Sequence, residues 1–173
     1  MFPEDIGTWA RENPDRLGIQ IMRFIFGALW LSQGLSKVFK RDNDMYKDNN
    51  KFLDNLNYMK DTNPYPAVVS LLNEVLIPNV SVFLVLVVIT ELLIGLSLSL
   101  GLLSRLGSLL GGFMAINLWI LTLGWGEWIW TYPLIFFPHV LLFLSHVGKE
   151  VGVDRFLSEK ENFTNKKLIN LLM

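Results

Sequence analysis

The chain has 173 residues, of which 51% are apolar and only 18% charged, and its formal net charge is −1. A charge this close to zero, without a basic patch in water-exposed sequence, argues against nucleic acid as a partner, and the absence of cysteine excludes disulfides, thiolate catalysis and iron–sulfur ligation. The charges fall in blocks separated by long apolar runs, which is typical of a membrane protein.

The apolar runs predict an all-α membrane protein, a four-transmembrane-helix bundle with a long polar loop between helices 1 and 2. Each run has about the 20 residues that a helix needs to cross a bilayer. The predicted segments, in chain order, are an amino-terminal interfacial segment at 1–16, spans at 17–38, 80–103, 106–125 and 128–147, the loop at 39–78, and a carboxy-terminal cytoplasmic tail at 148–173.

The loop at 39–78 is rich in asparagine and aspartate, so we expect it to lie in water. Within it Phe52, Leu56 and Met59 recur at helical spacing, which predicts a short amphipathic helix lying against the membrane or a partner. A second short helix is expected at 67–76. An ordered cap without chemistry is the alternative interpretation of this segment.

The distribution of lysine and arginine predicts the orientation of the chain in a plasma membrane. Both terminal segments and the turn at Arg105 are basic, whereas the lysines of the 39–78 loop are diluted by aspartates. Because basic residues near span ends favour the cytoplasmic side, we expect both termini to be cytoplasmic and the loop to be outside.

Glu91 is an isolated carboxylate within the apolar run at 75–104. An ionisable side chain near the bilayer centre is costly unless something compensates it, so Glu91 should be paired, protonated or placed for chemistry. The helical rise of about 1.5 Å per residue places Arg23 of the first span and His139 of the fourth in the same layer. We therefore expect Arg23 to pair with Glu91, with His139 nearby and the cationic end around Lys37 at a different depth.

Charged and small residues share one face of the first span. They recur at spacings of three and four, which places them on one stripe of a helix that faces protein: Arg23, Gly27, Trp30, Gly34 and Lys37. Glu91 and Gly95 form a comparable pair on the second span. A compact bundle with a polar centre is expected.

Two interpretations of this polar centre remain open. In the first, Arg23 and Glu91 form a structural salt bridge that specifies the packing of the bundle. In the second, the cluster binds a quinone headgroup or carries protons, as intramembrane ionisable residues commonly do. Quinone reduction consumes protons, so Glu91, Arg23 and His139 are the catalytic candidates. Trp30 and Trp119 are the candidates for stacking on a quinone ring beside Glu91.

No haem or metal is predicted. His139 and His146 lie on one helix face, whereas a bis-histidine haem between transmembrane helices takes its ligands from two helices. The patterns GxxxxGK[ST], HExxH and GxSxG are absent, so nucleotide binding, zinc hydrolysis and elbow-type esterase chemistry have no support. A quinone, as electron acceptor, is the only cofactor expected.

Three segments resemble the DoxX/DoxD superfamily of four-helix membrane proteins: RFIFGALWLSQGLSKVF, ITELLIGLSLSLGLLSRLGSLLG and GKEVGVDRFL. The last looks like that superfamily's glycine-containing exit from helix four followed by an aspartate, here Gly148, Gly152 and Asp154. The aromatic turn WGEWIWTY and the long first loop look more like the DoxD branch, the membrane subunit of thiosulfate:quinone oxidoreductase. The order and spacing of these segments over residues 17–157 carry the resemblance.

This resemblance implies a subunit that couples oxidation of thiosulfate to tetrathionate with quinone reduction. It implies a small DoxA-like partner subunit, with terminal quinol oxidase subunits as further partners in the lipid bilayer. Because the chain has no cysteine, thiosulfate cannot be held as a protein persulfide, and a non-covalent anion site is expected at Lys37, Lys40 and Arg41. Electrons would then pass inward to a quinone near Glu91.

Two rival functions are compatible with the same buried charges. One is a non-catalytic structural subunit of a respiratory terminal oxidase or another membrane oxidoreductase complex. The other is a carrier of small solutes or protons, which would need an access path through the bundle.

Overall fold

The computed structural model describes residues 6–39, 50–126, 130–145, 148 and 150–159. Every regular element in these ranges is helical, which confirms the predicted all-α class for them. The helices are α1 (Ile6–Glu12), α2 (Pro14–Phe39), α3 (Asn50–Thr62), α4 (Pro66–Leu71), α5 (Val80–Leu100), α6 (Ser104–Leu121), α7 (Pro133–Ser145) and α8 (Val153–Glu159). A single π-helical turn, Leu72–Leu76, continues α4.

Two of the described helices, α5 and α6, are long and apolar enough to cross a membrane. The other two predicted spans correspond to α2, which has 26 residues but carries charged side chains, and to α7, a shorter apolar helix of 13 residues. The outward faces of these helices carry large exposed apolar side chains, among them Ile25, Leu86, Phe113 and Leu141. Extended apolar surface of this kind marks contact with a membrane or a partner.

Helices α2 and α5 pack antiparallel through glycines. Each glycine faces a residue of the other helix at a distance that leaves no room for a side chain: Gly27 faces Ser99, Gly34 faces Leu92, and Gly95 faces Leu31. Small residues let two backbones approach closely, which is a common basis of helix packing in membranes. These three contacts fix the register of α2 against α5.

The buried core lies where α2, α5 and α7 meet. Its fully or nearly fully buried apolar side chains are Trp30, Ile94, Leu98 and Leu142. Helix α6 closes the other side, and Gly111 lets the ring of His139 lie directly against its backbone. Two polar side chains of α2, Gln20 and Arg23, are buried in the protein interior.

Residues 50–78 form a helical cap over the end of the bundle. The apolar face of α3 buries Leu56 and Met59 against Leu72, and Leu121 and Trp125 pack on the same cluster. The amphipathic helix predicted from apolar spacing is thus present as α3, and its buried face packs against its own chain. The interpretation as an ordered cap fits this packing, while residues 40–49 lie outside the described ranges.

Asn63 ties this cap to the end of α6. Its side-chain amide donates to the carbonyl oxygens of Ile120 and Leu121 at 2.9 and 3.1 Å. The last carbonyls of a helix lack intrahelical donors, so Asn63 satisfies groups that would otherwise be unpaired. The cap and the bundle are therefore joined by polar as well as apolar contacts.

Candidate functional site

Polar groups are arranged at three levels along one buried face of α2. The face holds Gln20, Arg23, Gly27, Trp30 and Gly34, all of them buried, and it ends at Lys37. The prediction that this stripe faces protein is confirmed. Arg23, Trp30 and Lys37 are seven residues apart, so successive levels are separated by about 10 Å along the helix.

The first level is a buried ion pair between α2 and α5. The Nζ of Lys37 donates to both carboxylate oxygens of Glu91, at 2.7 and 2.6 Å. The two side chains are only 13% and 6% exposed. A third contact of Nζ, to the carbonyl oxygen of Gln33, is long at 3.5 Å. Glu91 is thus compensated by Lys37.

The predicted pairing of Arg23 with Glu91 is wrong. Because Gly34 faces Leu92, one further turn of α2 brings Lys37 to Glu91. Arg23 lies about 21 Å away along the same helix, beyond the reach of its side chain. The expectation that depth separates Glu91 from Lys37 is overturned by the same register.

The second level joins α2 to α7 through a hydrogen bond between two rings. The indole N–H of Trp30 donates to Nε2 of His139 at 2.9 Å, and Nδ1 of His139 lies 2.7 Å from the carbonyl oxygen of Ile135. An indole nitrogen can only donate, so Nε2 is the unprotonated nitrogen and Nδ1 carries the hydrogen. Both nitrogens of this fully buried histidine are therefore occupied.

The predicted position of His139 near Glu91 differs from its position in the structure, where it lies against Trp30. His139 contacts Trp30 and the edge of Phe26, and none of the contacts described for it involves Glu91. Trp119 is half-buried on α6, and the α6 side chains that pack against the core around Trp30 include Leu110, Met114 and Leu118. The stacking of Trp30 and Trp119 on one quinone ring stays a prediction.

A small apolar cavity lies beside His139, between α6 and α7. Its volume is about 290 Å³, and its lining includes Ser108, Gly112, Phe113, Phe136 and Phe143. This volume is at the lower limit for a small-molecule site. The cavity could accept a flat apolar group, but His139 offers it no unoccupied nitrogen.

The third level is at Arg23, where α2 passes the turn between α5 and α6. Nη2 of Arg23 donates to the carbonyl oxygen of Val151 at 2.6 Å, and the guanidinium lies over the ring of Phe24, 4.6 Å from its centroid. Nη1 lies against Gly101, the left-handed residue that ends α5. Arg23 therefore marks one end of the bundle, which we call the Arg23 end, and Lys37 marks the opposite region, the Lys37 end.

Asp154 organises the turn at the Arg23 end. Its fully buried carboxylate accepts hydrogen bonds from the backbone N–H groups of Leu103 and Ser104, at 2.6 and 2.9 Å, and from the Ser104 hydroxyl at 2.8 Å. These donors open α6, and Leu103 adopts a left-handed conformation (φ 50°) that an L-residue rarely takes. Asp154 thus caps a helix from a position 51 residues further along the chain.

A family model described as TQO small subunit DoxD matches residues 19–173. The chain belongs to the DoxD family. The resemblance to the DoxX/DoxD superfamily is thereby confirmed. Among curated proteins and among solved structures, none matches the chain significantly. DoxD membership, together with the apolar helices, makes this a membrane subunit of a thiosulfate:quinone oxidoreductase-type complex.

The anion site predicted for this DoxD chain is only partly within the described residues. Lys37 is in the structure, but its ammonium group is neutralised by Glu91. Lys40 and Arg41 follow α2 and lie outside the described ranges. Within those ranges, no group of three or more acidic or histidine side chains could hold a metal ion.

Sequence reasoning singled out Asp154 but gave it no role. Its partners belong to the α5–α6 turn, so no rule based on neighbouring residues could have found them. The signal was the pairing of Asp154 with Gly148 and Gly152. In the structure Gly148 packs against Asp154 and Ser104, and Gly152 packs against Gly101. The two glycines allow the segment to fold tightly onto the turn.

Proposed function

We propose that this chain is the subunit at which a thiosulfate:quinone oxidoreductase reduces and protonates membrane quinone, and that Lys37 and Glu91 move the protons. The observation that supports this most is the pairing of two largely buried ionisable side chains at the contact between α2 and α5. Intramembrane ionisable residues commonly belong to proton or substrate pathways. The proposal includes four spans formed by α2, α5, α6 and α7, with cytoplasmic termini.

The stoichiometry of the reaction requires a proton supply at the quinone. Two thiosulfate ions lose one electron each, and a sulfur–sulfur bond forms to give tetrathionate. The quinone takes up the two electrons and two protons and becomes a quinol. Thiosulfate oxidation releases no proton, so both protons must come through the protein from water. A positioned acid–base pair is the usual means of such transfer.

Lys37 is placed to donate to a quinone oxygen. Two of its three N–H groups bind the Glu91 carboxylate, and the long 3.5 Å contact to Gln33 leaves the third weakly bound. In the proposed step a quinone carbonyl replaces that contact and takes a proton from the Lys37 ammonium. Glu91 then takes up a proton from water and passes it to the Lys37 amine. His139 has both nitrogens engaged, so we assign proton transfer to Lys37 and Glu91, with Trp30 and His139 shaping the neighbouring level.

Thiosulfate would bind at Lys40 and Arg41, which follow Lys37 in the sequence. Because Lys37 contacts Glu91, the sulfur substrate and the quinone would meet at the same end of the bundle. The electron path would then be short, which suits a chain without cysteine. On this proposal a DoxA-like small subunit completes the site, and terminal quinol oxidase subunits reoxidise the product.

The proposal is tested by thiosulfate-dependent reduction of a quinone analogue by the purified complex. Glu91→Gln should lower turnover by about 10²- to 10⁴-fold, the usual contribution of a positioned acid–base group. Glu74→Gln, a change at an exposed glutamate of the π-helical turn, is the matched control and should leave turnover unchanged. Equal turnover in assembled wild-type and Glu91→Gln complexes would remove Glu91 from the reaction.

A structural subunit of a respiratory terminal oxidase is the second candidate. The bidentate geometry of the Lys37–Glu91 pair favours it, since an ion pair between two helices also specifies their register. In that case an apolar pair at the two positions would keep both assembly and turnover. The two candidate functions therefore predict opposite turnover for a double variant with apolar residues at positions 37 and 91.

A further inference from the structure

A second cavity, larger than the one beside His139, lies at the Arg23 end of the bundle. Its volume is about 490 Å³, and its lining includes Arg23, Ser99, Leu100, Gly152, Arg155 and Phe156. It is about 21 Å from Lys37 along α2 and takes no part in the proposed quinone chemistry. Two arginines on a mostly apolar wall suit a ligand with an acidic group.

The guanidinium of Arg23 is only partly satisfied by the described residues. Arg23 is fully buried and lines this cavity, yet neither Nε nor Nη1 has a hydrogen-bond partner among them. Only Nη2 is bound, to the Val151 carbonyl oxygen. Buried charged donors are almost always paired, because an unpaired one is costly.

Asp154 does not supply the missing hydrogen bonds. It attracts Arg23 electrostatically, but its carboxylate oxygens accept from the backbone and hydroxyl donors of Leu103 and Ser104. Among the described residues, Nε and Nη1 of Arg23 thus have no acceptor, and the three N–H bonds on these two nitrogens can donate to an added oxyanion. Guanidinium groups bind phosphate oxygens in this paired manner.

The depth of the cavity indicates what kind of oxyanion binds there. Arg23 lies against Gly101, the residue that ends the apolar helix α5. The end of a transmembrane helix lies at the level of the lipid headgroups. Beside the guanidinium, the exposed side chains of Phe24, Leu100 and Phe156 give the cavity an apolar mouth. A ligand with an acidic head and an apolar chain matches both features.

We propose that this cavity binds one anionic phospholipid. The phosphate oxygens accept hydrogen bonds from Nε and Nη1 of Arg23, Arg155 adds a second positive charge, and an acyl chain lies along Leu100 and Phe156. Basic pockets between helices near the membrane surface bind acidic lipid headgroups through the same interactions. The lipid phosphate would neutralise the buried guanidinium of Arg23 and link α2 to the segment around Val151.

Lipid binding by the purified complex in neutral detergent tests the site. Native mass spectrometry with added phosphatidylglycerol should show one tightly held molecule, with phosphatidylcholine bound at least tenfold more weakly. Arg23→Gln should weaken phosphatidylglycerol binding at least tenfold, because it removes the charged donors. Arg105→Gln should leave binding unchanged, since Arg105 is a nearby arginine whose Nε already donates to the Phe143 carbonyl oxygen. Equal binding by Arg23→Gln and wild type would overturn the proposal.

Two further measurements separate a lipid from a soluble anion and binding from folding. Inorganic phosphate and thiosulfate, added at millimolar concentration, should not displace the lipid. Displacement by either would identify a soluble-anion site instead and overturn the lipid assignment. Arg23→Gln changes a buried residue and could prevent folding. Leu100→Trp changes an exposed residue at the cavity mouth, so this variant should fold. Leu100→Trp should weaken lipid binding at least tenfold, and unchanged affinity would again count against the lipid.

Discussion

Lys37 and Arg23 are two cations on the same buried face of one helix, and the protein compensates them differently. Lys37 meets a carboxylate on the facing helix and holds both of its oxygens. Arg23 meets the carbonyl oxygen of Val151 and keeps two donors unpartnered within the described residues. The Lys37 ammonium is therefore neutralised within the bundle, whereas the proposed lipid phosphate would bind the Arg23 donors that have no partner among the described residues.

The difference follows from what faces each cation across the helix contact. Near Lys37 the partner is a regular helix, so a single carboxylate in register can neutralise the charge. Near Arg23 the partner is a turn, whose own N–H groups use the carboxylate of Asp154. A buried charge opposite a turn thus competes with backbone donors for the same anion. Substitutions at the two ends should consequently differ in how much they lower the free energy of unfolding and in which second substitution restores it.

The largest effect is expected at the Lys37 end. Glu91→Leu leaves the buried ammonium of Lys37 without its partner and should lower the free energy of unfolding by about 3–5 kcal/mol. Adding Lys37→Met should restore most of that loss, because the pair then becomes apolar. Reversible unfolding in mixed micelles measures both values. A double variant as unstable as the single one would show that the loss comes from packing rather than from charge.

A smaller loss is expected for Asp154→Ala at the Arg23 end. The change leaves the Leu103 and Ser104 donors without their acceptor in a buried turn, and we expect a loss of about 2–4 kcal/mol from the usual cost of unsatisfied groups. The same unfolding assay applies. Asp61→Ala removes an exposed carboxylate and is the control, with a change within about 0.5 kcal/mol. Similar values for the two variants would mean that Asp154 does not hold the turn.

The smallest effect is expected for the exposed ion pair between Arg16 and Glu150, also near the Arg23 end. The Arg16 side chain is 60% exposed, and exposed pairs contribute at most about 1 kcal/mol. Arg16→Ala should therefore change the unfolding free energy by less than that, and the difference should shrink further at high salt. If Arg16→Ala lowered the unfolding free energy as much as Asp154→Ala, the surface contacts of the Arg23 end would contribute as much to stability as its buried ones.

The helices and the buried face of α2 could be predicted from the sequence because both depend on local periodicity. Apolar length identified α5 and α6, and the spacing of Arg23, Trp30 and Lys37 identified one face of one helix. The spacing of Phe52, Leu56 and Met59 likewise predicted α3. Each of these predictions needs only the geometry of a single helix.

The partners of Arg23 and Glu91 could not be predicted because they depend on the register between two helices. The chain between α2 and α5 is long, so its length does not fix that register. The register comes instead from Gly27, Gly34 and Gly95, whose facing residues are known only from the structure. Estimating depth from the span ends placed Arg23 and Glu91 in one layer, whereas the glycine contacts bring Glu91 to Lys37.

Quinone reduction by the Lys37→Met/Glu91→Leu double variant tests the proposed role of the pair most directly. The variant removes both ionisable groups together, so helix packing is retained and no charge is left buried alone. We predict normal assembly with the partner subunit and a fall of at least 100-fold in thiosulfate-dependent quinone reduction per assembled complex. Assembly with wild-type turnover would contradict proton transfer through Lys37 and Glu91 and would leave the pair a structural role.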